Sequence, residues 1–216
     1  MKVFQDRHHA GQVLAEDLKQ ILGADEALVL ALPRGGVPIG YEISKALKIP
    51  LDILVVRKLG VPTQKELAFG AIAPEGVRVL NESIIQSVSL SSDSQTAIEL
   101  RERAELDRRS KLYRGDSPYP NIENKLVIIV DDGLATGATM RAAATWAEMK
   151  SAKKTIVVVP IAGSEAAAHL HKEFSDITCL CHFKSSSLFS VSTYYENFDQ
   201  TTDEEVIRLL QEIQKG

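Results

Sequence analysis

Short apolar runs alternate with stretches of helical spacing along nearly the whole chain, and this alternation restricts the fold more than any other feature. Ala27–Leu32, Leu51–Val56, Leu126–Val130, Thr155–Pro160 and Ile177–Cys181 are too short for helices and read as strands, with Val77–Leu80 a weaker strand. Residues 6–22, 37–47, 93–113, 137–149, 164–174 and 202–213 read as helices. In the first, Ala10, Leu14 and Leu18 fall at i, i+4 and i+8; in the second, Ile39, Ile43 and Leu47 repeat at the same interval. In the third, long and charged, the apolar positions are Ala97, Leu100, Ala104 and Leu112, and the mixed charges of residues 99–111 suit a solvent or subunit face that leaves a homodimer open. Residues 59–76 hold three Gly and two Pro and read mainly as a loop. Strands alternating with helices predict an α/β fold, a mostly parallel sheet flanked by helices. One domain over residues 1–216 is expected, with an appendage built from the two chain ends.

The composition is that of an ordinary globular protein, 44% apolar and 25% charged, and a formal net charge of −4 argues against a nucleic-acid-binding face. The first residues are charged and lack the apolar stretch of an export signal, and no apolar run is long enough for a membrane span. Two cysteines make no disulfide framework, so a reduced, cytoplasmic protein is expected. His169 and His171, at i and i+2 on a helix, point about 200° apart and cannot chelate together. Cys179 and Cys181 share one face of a strand as core residues would, so no protein-held metal is expected. His8 and His9 open a surface helix and read as solvated.

The segment that carries chemistry runs from Val127 to Met140: a buried strand, then Asp131-Asp132, then the loop Gly133-Leu134-Ala135-Thr136-Gly137-Ala138-Thr139, then a helix. In an open parallel sheet, ligands bind beyond the carboxyl ends of the strands, where this loop must lie. The following helix offers free backbone N–H groups and a positive dipole end. Thr136 and Thr139 add hydroxyl donors, and Gly137 lets the backbone close around a phosphate. Two carboxylates beside a phosphate nest would repel that ligand unless they grip neutral hydroxyls, such as the vicinal diol of a ribose. Together the two halves suit a ribose 5-phosphate.

This segment resembles the phosphoribosyl pyrophosphate (PRPP) signature of type I phosphoribosyltransferases. A second strand-to-helix turn, Pro33-Arg34-Gly35-Gly36-Val37-Pro38, resembles the pyrophosphate loop of the same family. There Arg34 would grip phosphate oxygens, Gly35 and Gly36 would let backbone amides approach, and the Pro33–Arg34 peptide would be cis, as the resemblance implies. The basic pair Arg57-Lys58, ending the run Leu51–Val56, resembles the segment before the flexible loop of adenine phosphoribosyltransferases, whose basic residues approach the pyrophosphate. The run 65–70 departs from that pattern, and covering the site is the role left open to it. Over nearly the whole chain the sequence resembles a bacterial phosphoribosyltransferase family of unassigned substrate. Phe4-x-Asp6-Arg7-x-x-Ala10-Gly11 and the aromatic segment 189–198, with Tyr194-Tyr195-x-x-Phe198, belong to that resemblance.

The resemblance implies transfer of ribose 5-phosphate from PRPP to a nitrogen acceptor. Asp131 and Asp132 would hold the diol, residues 135–139 the 5′-phosphate, and Arg34, Arg57 and Lys58 the leaving pyrophosphate. Catalysis would fall to Asp131, Asp132, Arg34 and Lys58, with Mg²⁺ held mainly through PRPP and water and a hood over the acceptor formed by about residues 1–22 and 186–216. Non-catalytic PRPP binding, as in a regulator, is the alternative. In hypoxanthine–guanine enzymes the third residue after the acid pair is an acid serving as general base; here it is Ala135, which leaves Glu66 or the hood as other sources of a base.

Overall fold

The structure, a computed structural model, describes residues 3–23, 26–62, 64–174, 176–186, 188 and 190–215, and of Lys65, Glu66 and Gln214 the backbone alone. Phe189, the first aromatic of the C-terminal segment, and the Glu66 side chain thus lie outside the described residues.

Five parallel strands form the main sheet: β1 (Ala27–Ala31), β2 (Leu51–Ile53), β6 (Leu126–Val130), β7 (Lys154–Gly163) and β8 (Ile177–Ser185), in the order β2-β1-β6-β7-β8. β6 lies at the centre and all five of its residues are buried, as a Leu-Val-Ile-Ile-Val run with both faces covered requires. Its alternate side chains divide between two layers. Ile128 and Val130 pack with Leu14 and Leu18 of α1 (Arg7–Lys19) and Ile39 and Ile43 of α2 (Gly36–Leu47). Val127 and Ile129 pack with Met140 and Trp146 of α5 (Ala138–Met149) and Leu170 of α6 (Ser164–Glu173). This is the flanked parallel sheet that the alternation predicts. Among the described residues no helix is long and apolar enough to cross a membrane.

Residues 59–76 are not mainly loop. β3 (Arg57–Val61), β4 (Gln64–Ile72) and β5 (Arg78–Leu80) form a separate antiparallel sheet in that order. Leu59, Val61 and Phe69 are buried there with Ile85 of α3 (Glu82–Ser87). Gly60 lies at register shifts between β3 and β4, and at Gly70 a Cβ would collide with the Val79 carbonyl oxygen, so both glycines serve the sheet rather than break it. Of the run 65–70, Ala68, Phe69 and Gly70 are buried in this sheet. The predicted strand Leu51–Val56 is also shorter than expected: Leu54 N–H still bonds to Ala31 O at 3.0 Å, but the ladder ends at Ile53, so Arg57 and Lys58 open β3 instead of ending β2.

Helix α4 (Ser92–Arg114) turns a different face inward from the one its small apolar residues suggest. Ala97, Leu100, Ala104 and Leu112 are exposed, whereas Ile98, Glu102 and Leu106 are buried. Glu102 can be buried because Arg57 donates to its Oε2 from Nε at 3.0 Å and from Nη2 at 2.7 Å.

The chain ends meet. Val3 and Phe4 N–H bond to Tyr194 O at 2.9 and 3.0 Å, and Asn197 N–H to Gln5 O at 2.8 Å. Phe4, Ala10 and Tyr195 are buried together, and α7 (Asp203–Lys215) packs on α2 beyond them. His8 is not simply solvated, since its Nδ1 lies 2.9 Å from Glu42 Oε1.

Candidate active site at the ends of β1 and β6

β1 and β6 run side by side with Ala31 opposite Val130, and Leu32 N–H bonds to Val130 O at 2.8 Å, so the turns that follow them emerge together. In the first turn the Pro33–Arg34 peptide is cis, as the resemblance implies. The two glycines that follow are required by contact with the second turn. A Cβ on Gly36 would collide with Val130 O, and one on Gly35 with the Asp132 carboxylate. Gly36→Ala is therefore expected to destabilise the fold by about 1–3 kcal/mol through overpacking. A denaturant midpoint equal to that of the unmodified protein would contradict the close approach.

Each carboxylate of the acid pair has one oxygen fixed and one open. Asp131 Oδ1 accepts from Asp132 N–H at 2.9 Å. Asp132 Oδ2 accepts from Arg7 Nε at 2.9 Å and Nη2 at 2.8 Å. Among the described residues no hydrogen bond reaches the other oxygen of either group, and neither is a buried orphan. Burial and, next, the neighbouring Asp132 charge push the Asp131 carboxyl well above its ordinary range, with the Asp132 N–H and Arg7 opposing. Tyr195 OH donates to the Asp132 carbonyl oxygen at 2.9 Å, and burial raises the phenol above its usual range.

Beyond the pair, Leu134 N–H bonds to Ile161 O at 2.9 Å and fixes the loop to β7. Ala135 and Thr136 are exposed, Gly137 takes φ +81° immediately before α5, and among the described residues the Thr136 and Thr139 hydroxyls make no hydrogen bond. The loop thus presents unengaged donors at a helix N-terminus. Thr136 and Gly137 also border a cleft of about 450 Å³ lined by Arg141, His169 and Lys172.

The basic residues are placed differently. Arg34 Nη1 lies 3.4 Å from Asp203 Oδ1 at the start of α7, a long contact at a partly exposed position. Tyr113 OH donates to the same Asp203 oxygen at 2.5 Å; that bond, with the Arg34 and Arg109 charges, lowers the Asp203 pKa. Arg57 and Lys58 line a separate depression of about 440 Å³ with Arg101 and Glu102, whose lining includes neither Arg34 nor the loop 131–139. The structure thus brings the turn Arg34-Gly35-Gly36 against the acid pair Asp131-Asp132, while Arg57 and Lys58 line a depression at the start of β3.

Arg7 is the residue of this site whose role the sequence does not disclose. It lies 125 residues from Asp132, and no local pattern marks the pairing.

Residues 5–196 match the model of the phosphoribosyl transferase domain, and the chain belongs to that family. The architecture is that of the type I phosphoribosyltransferases. Among its relatives is a Mycobacterium tuberculosis protein named "Putative phosphoribosyl transferase Rv0571c", 43% identical over 210 residues, which cover 97% of this chain and 47% of the relative. The chain therefore spans about half the length of that relative. Among solved structures, TT1426 from Thermus thermophilus superposes with a TM-score of 0.78 at 35% identity, covering 98% of this chain and 99% of that one. Adenine phosphoribosyl transferase from Trypanosoma brucei, solved with AMP, pyrophosphate and ribose-5-phosphate, shares the fold at 11% identity, with a TM-score of 0.51 over 87% of this chain and 69% of that one.

Proposed function

We propose that this chain is a phosphoribosyltransferase that moves ribose 5-phosphate from PRPP to a nitrogen acceptor and releases pyrophosphate. The observation that carries the reading is the acid pair: two adjacent carboxylates, each with one oxygen tied by the protein and one left open, suit the two hydroxyls of a ribose diol. The unengaged threonine hydroxyls at the start of α5 suit its 5′-phosphate. The acceptor nitrogen attacks C1′, the C1′–oxygen bond to pyrophosphate breaks with its electron pair leaving on pyrophosphate, and the acceptor's proton passes to a base or to water.

Positive charge develops at C1′ in an oxocarbenium-like transition state, and the carboxylates beside the ribose stabilise it. Arg34 takes the leaving pyrophosphate by exchanging its long contact with Asp203 for phosphate oxygens, and Lys58 assists from β3. The family implies Mg²⁺ held mainly through PRPP and water, and the anionic acid pair Asp131-Asp132 beside the ribose suits the approach of a substrate-borne cation. When bound with PRPP, magnesium supplies neutralisation of the pyrophosphate charge. The chain ends form a hood over the acceptor, in a single domain spanning residues 1–216. Small phosphorylated substrates suit a cytoplasmic enzyme.

One observation favours a second reading. Arg57 is committed to Glu102, which takes one of the three cations assigned to the leaving group out of play, as suits a protein that binds PRPP without transferring it. A screen of purines, pyrimidines and small amines with PRPP and Mg²⁺, following pyrophosphate, separates the two. Acceptor-dependent release is expected. Tight PRPP binding with no release for any acceptor would favour the regulator.

A further inference from the structure

We infer that Arg7 is a positioning residue for the ribose diol, holding the Asp132 carboxylate in place from outside the PRPP signature. The inference rests on the reading of Asp131 and Asp132 as the diol grip. Arg7 opens α1, and its side chain is only 11% exposed. Both Nε and Nη2 fall on one carboxylate oxygen, Oδ2, at 2.9 and 2.8 Å. A fork that spanned both oxygens would consume the carboxylate; two bonds on one oxygen fix its rotation and leave Oδ1 for a substrate hydroxyl.

The guanidinium is itself held on two further sides. Nη1 donates to Asp199 O at 2.7 Å, and the Phe198 ring lies 3.8 Å from Cζ. Phe198 packs on Tyr195 at 4.8 Å, and Tyr195 OH bonds to the Asp132 carbonyl oxygen, so the circuit closes on the same residue. Asp132 is thus gripped at its side chain by the N-terminal segment and at its backbone by the C-terminal one. A change in how the chain ends sit is felt directly at the carboxylate that takes the ribose.

The charge of Arg7 has a second effect. The groups facing the acid pair are the two carboxylates themselves, Arg7 from α1 and the Tyr195 phenol from the C-terminal segment. Arg7 is the cation among them and opposes the upward shift of Asp131. An ionised carboxylate accepts a hydroxyl more strongly than a protonated one, so removing Arg7, which opposes the upward shift of Asp131, raises the pH below which PRPP binding weakens.

The test measures the Kd for PRPP with Mg²⁺ by calorimetric titration across pH in the unmodified protein, Arg7→Gln and Arg7→Lys, with thermal melting of each. Arg7→Gln is expected to raise the PRPP Kd at least tenfold and to move the acid limb of binding to higher pH. Arg7→Lys keeps the charge but loses the fork, so Kd rises several-fold while the acid limb stays near that of the unmodified protein. If Arg7→Gln fails to fold, the Arg7→Lys result decides: an unchanged Kd overturns the inference. Folded variants with an unchanged PRPP Kd and acid limb, or losses that follow melting temperature alone, would reduce Arg7 to a staple between the chain ends and overturn it too. In that case the diol assignment survives, because the unmodified protein still binds PRPP. An unmodified protein that does not bind PRPP overturns both.

Discussion

Replacing both acids, Asp131→Asn with Asp132→Asn, is expected to weaken PRPP binding by on the order of 10²–10⁴-fold, since each charge-assisted hydrogen bond is worth about 1.5–3 kcal/mol. The substitutions keep shape and remove charge, so a loss of affinity reports on the open oxygens rather than on packing. Stability should move the other way at Asp131. Its pKa is raised in the folded state, so the folded protein holds that proton more tightly than the unfolded chain does. The sign follows: the group favours folding while both states are protonated, and this contribution is lost as pH rises from the unfolded pKa through the raised one. Above the unfolded pKa, Asp131 therefore carries a cost to folding that the single substitution Asp131→Asn relieves. Asp131→Asn is expected to melt no lower than the unmodified protein at pH 7 while binding PRPP more weakly. Calorimetric titration of PRPP alongside thermal melting checks both halves. Unchanged PRPP affinity in the folded double variant would remove the acid pair from the site.

That opposition between stability and binding explains which parts of this molecule can be read from its sequence. The central strands are legible because a run such as Leu126–Val130 is buried on both faces and needs no partner pattern to announce it. The two turns after β1 and β6 are legible because glycine, hydroxyl and acid stand at fixed local offsets within one short loop each, the pattern that the proposed phosphate and diol recognition would need. The antiparallel sheet is not legible for the same local reason. Gly60, Pro62 and Gly70 look like loop breakers, yet Gly60 accommodates a register shift and Gly70 the close approach of the Val79 carbonyl. α4 misleads through chemistry: its buried face carries Glu102, an acid that its bonds to Arg57 and Arg101 allow inside. Arg57 itself looks like a ligand for phosphate until that partner, 45 residues away, is seen. Arg7 is the converse, a surface-helix arginine by pattern that lies against the acid pair by topology. Long-range pairing of charges is what a single sequence conceals.

Under the proposed transfer, the acceptor is constrained by an absence in the loop after β6. The resemblance to hypoxanthine–guanine phosphoribosyltransferases puts a general base at the third residue after the acid pair, and Ala135 stands there. Ala135 is exposed and its methyl group can take no proton. Two of the acids near the loop are already engaged. Glu173 in the adjoining cleft is tied to Arg141 by bonds of 2.5 and 2.9 Å, and Asp132 is tied to Arg7. Asp131 carries a raised pKa but is assigned to the ribose, so using it as a base would forfeit the diol. A 6-oxopurine must lose a proton as its ring nitrogen attacks, and general-base help is worth about 10²–10⁴ in rate. Hypoxanthine and guanine are therefore expected to be acceptors poorer than the preferred one by roughly that factor. The preferred acceptor is a ring or amine whose nitrogen attacks before its proton must leave, or one whose base comes from the hood, where Asp199 and Glu205 line a small pocket with His8. The measurement is kcat/KM for hypoxanthine and guanine beside adenine, uracil and small amines at saturating PRPP. Efficient turnover of hypoxanthine by the unmodified protein would show that Ala135 does not limit proton removal, and would move the search for the base to the hood carboxylates, where Asp199→Asn and Glu205→Gln should then abolish it.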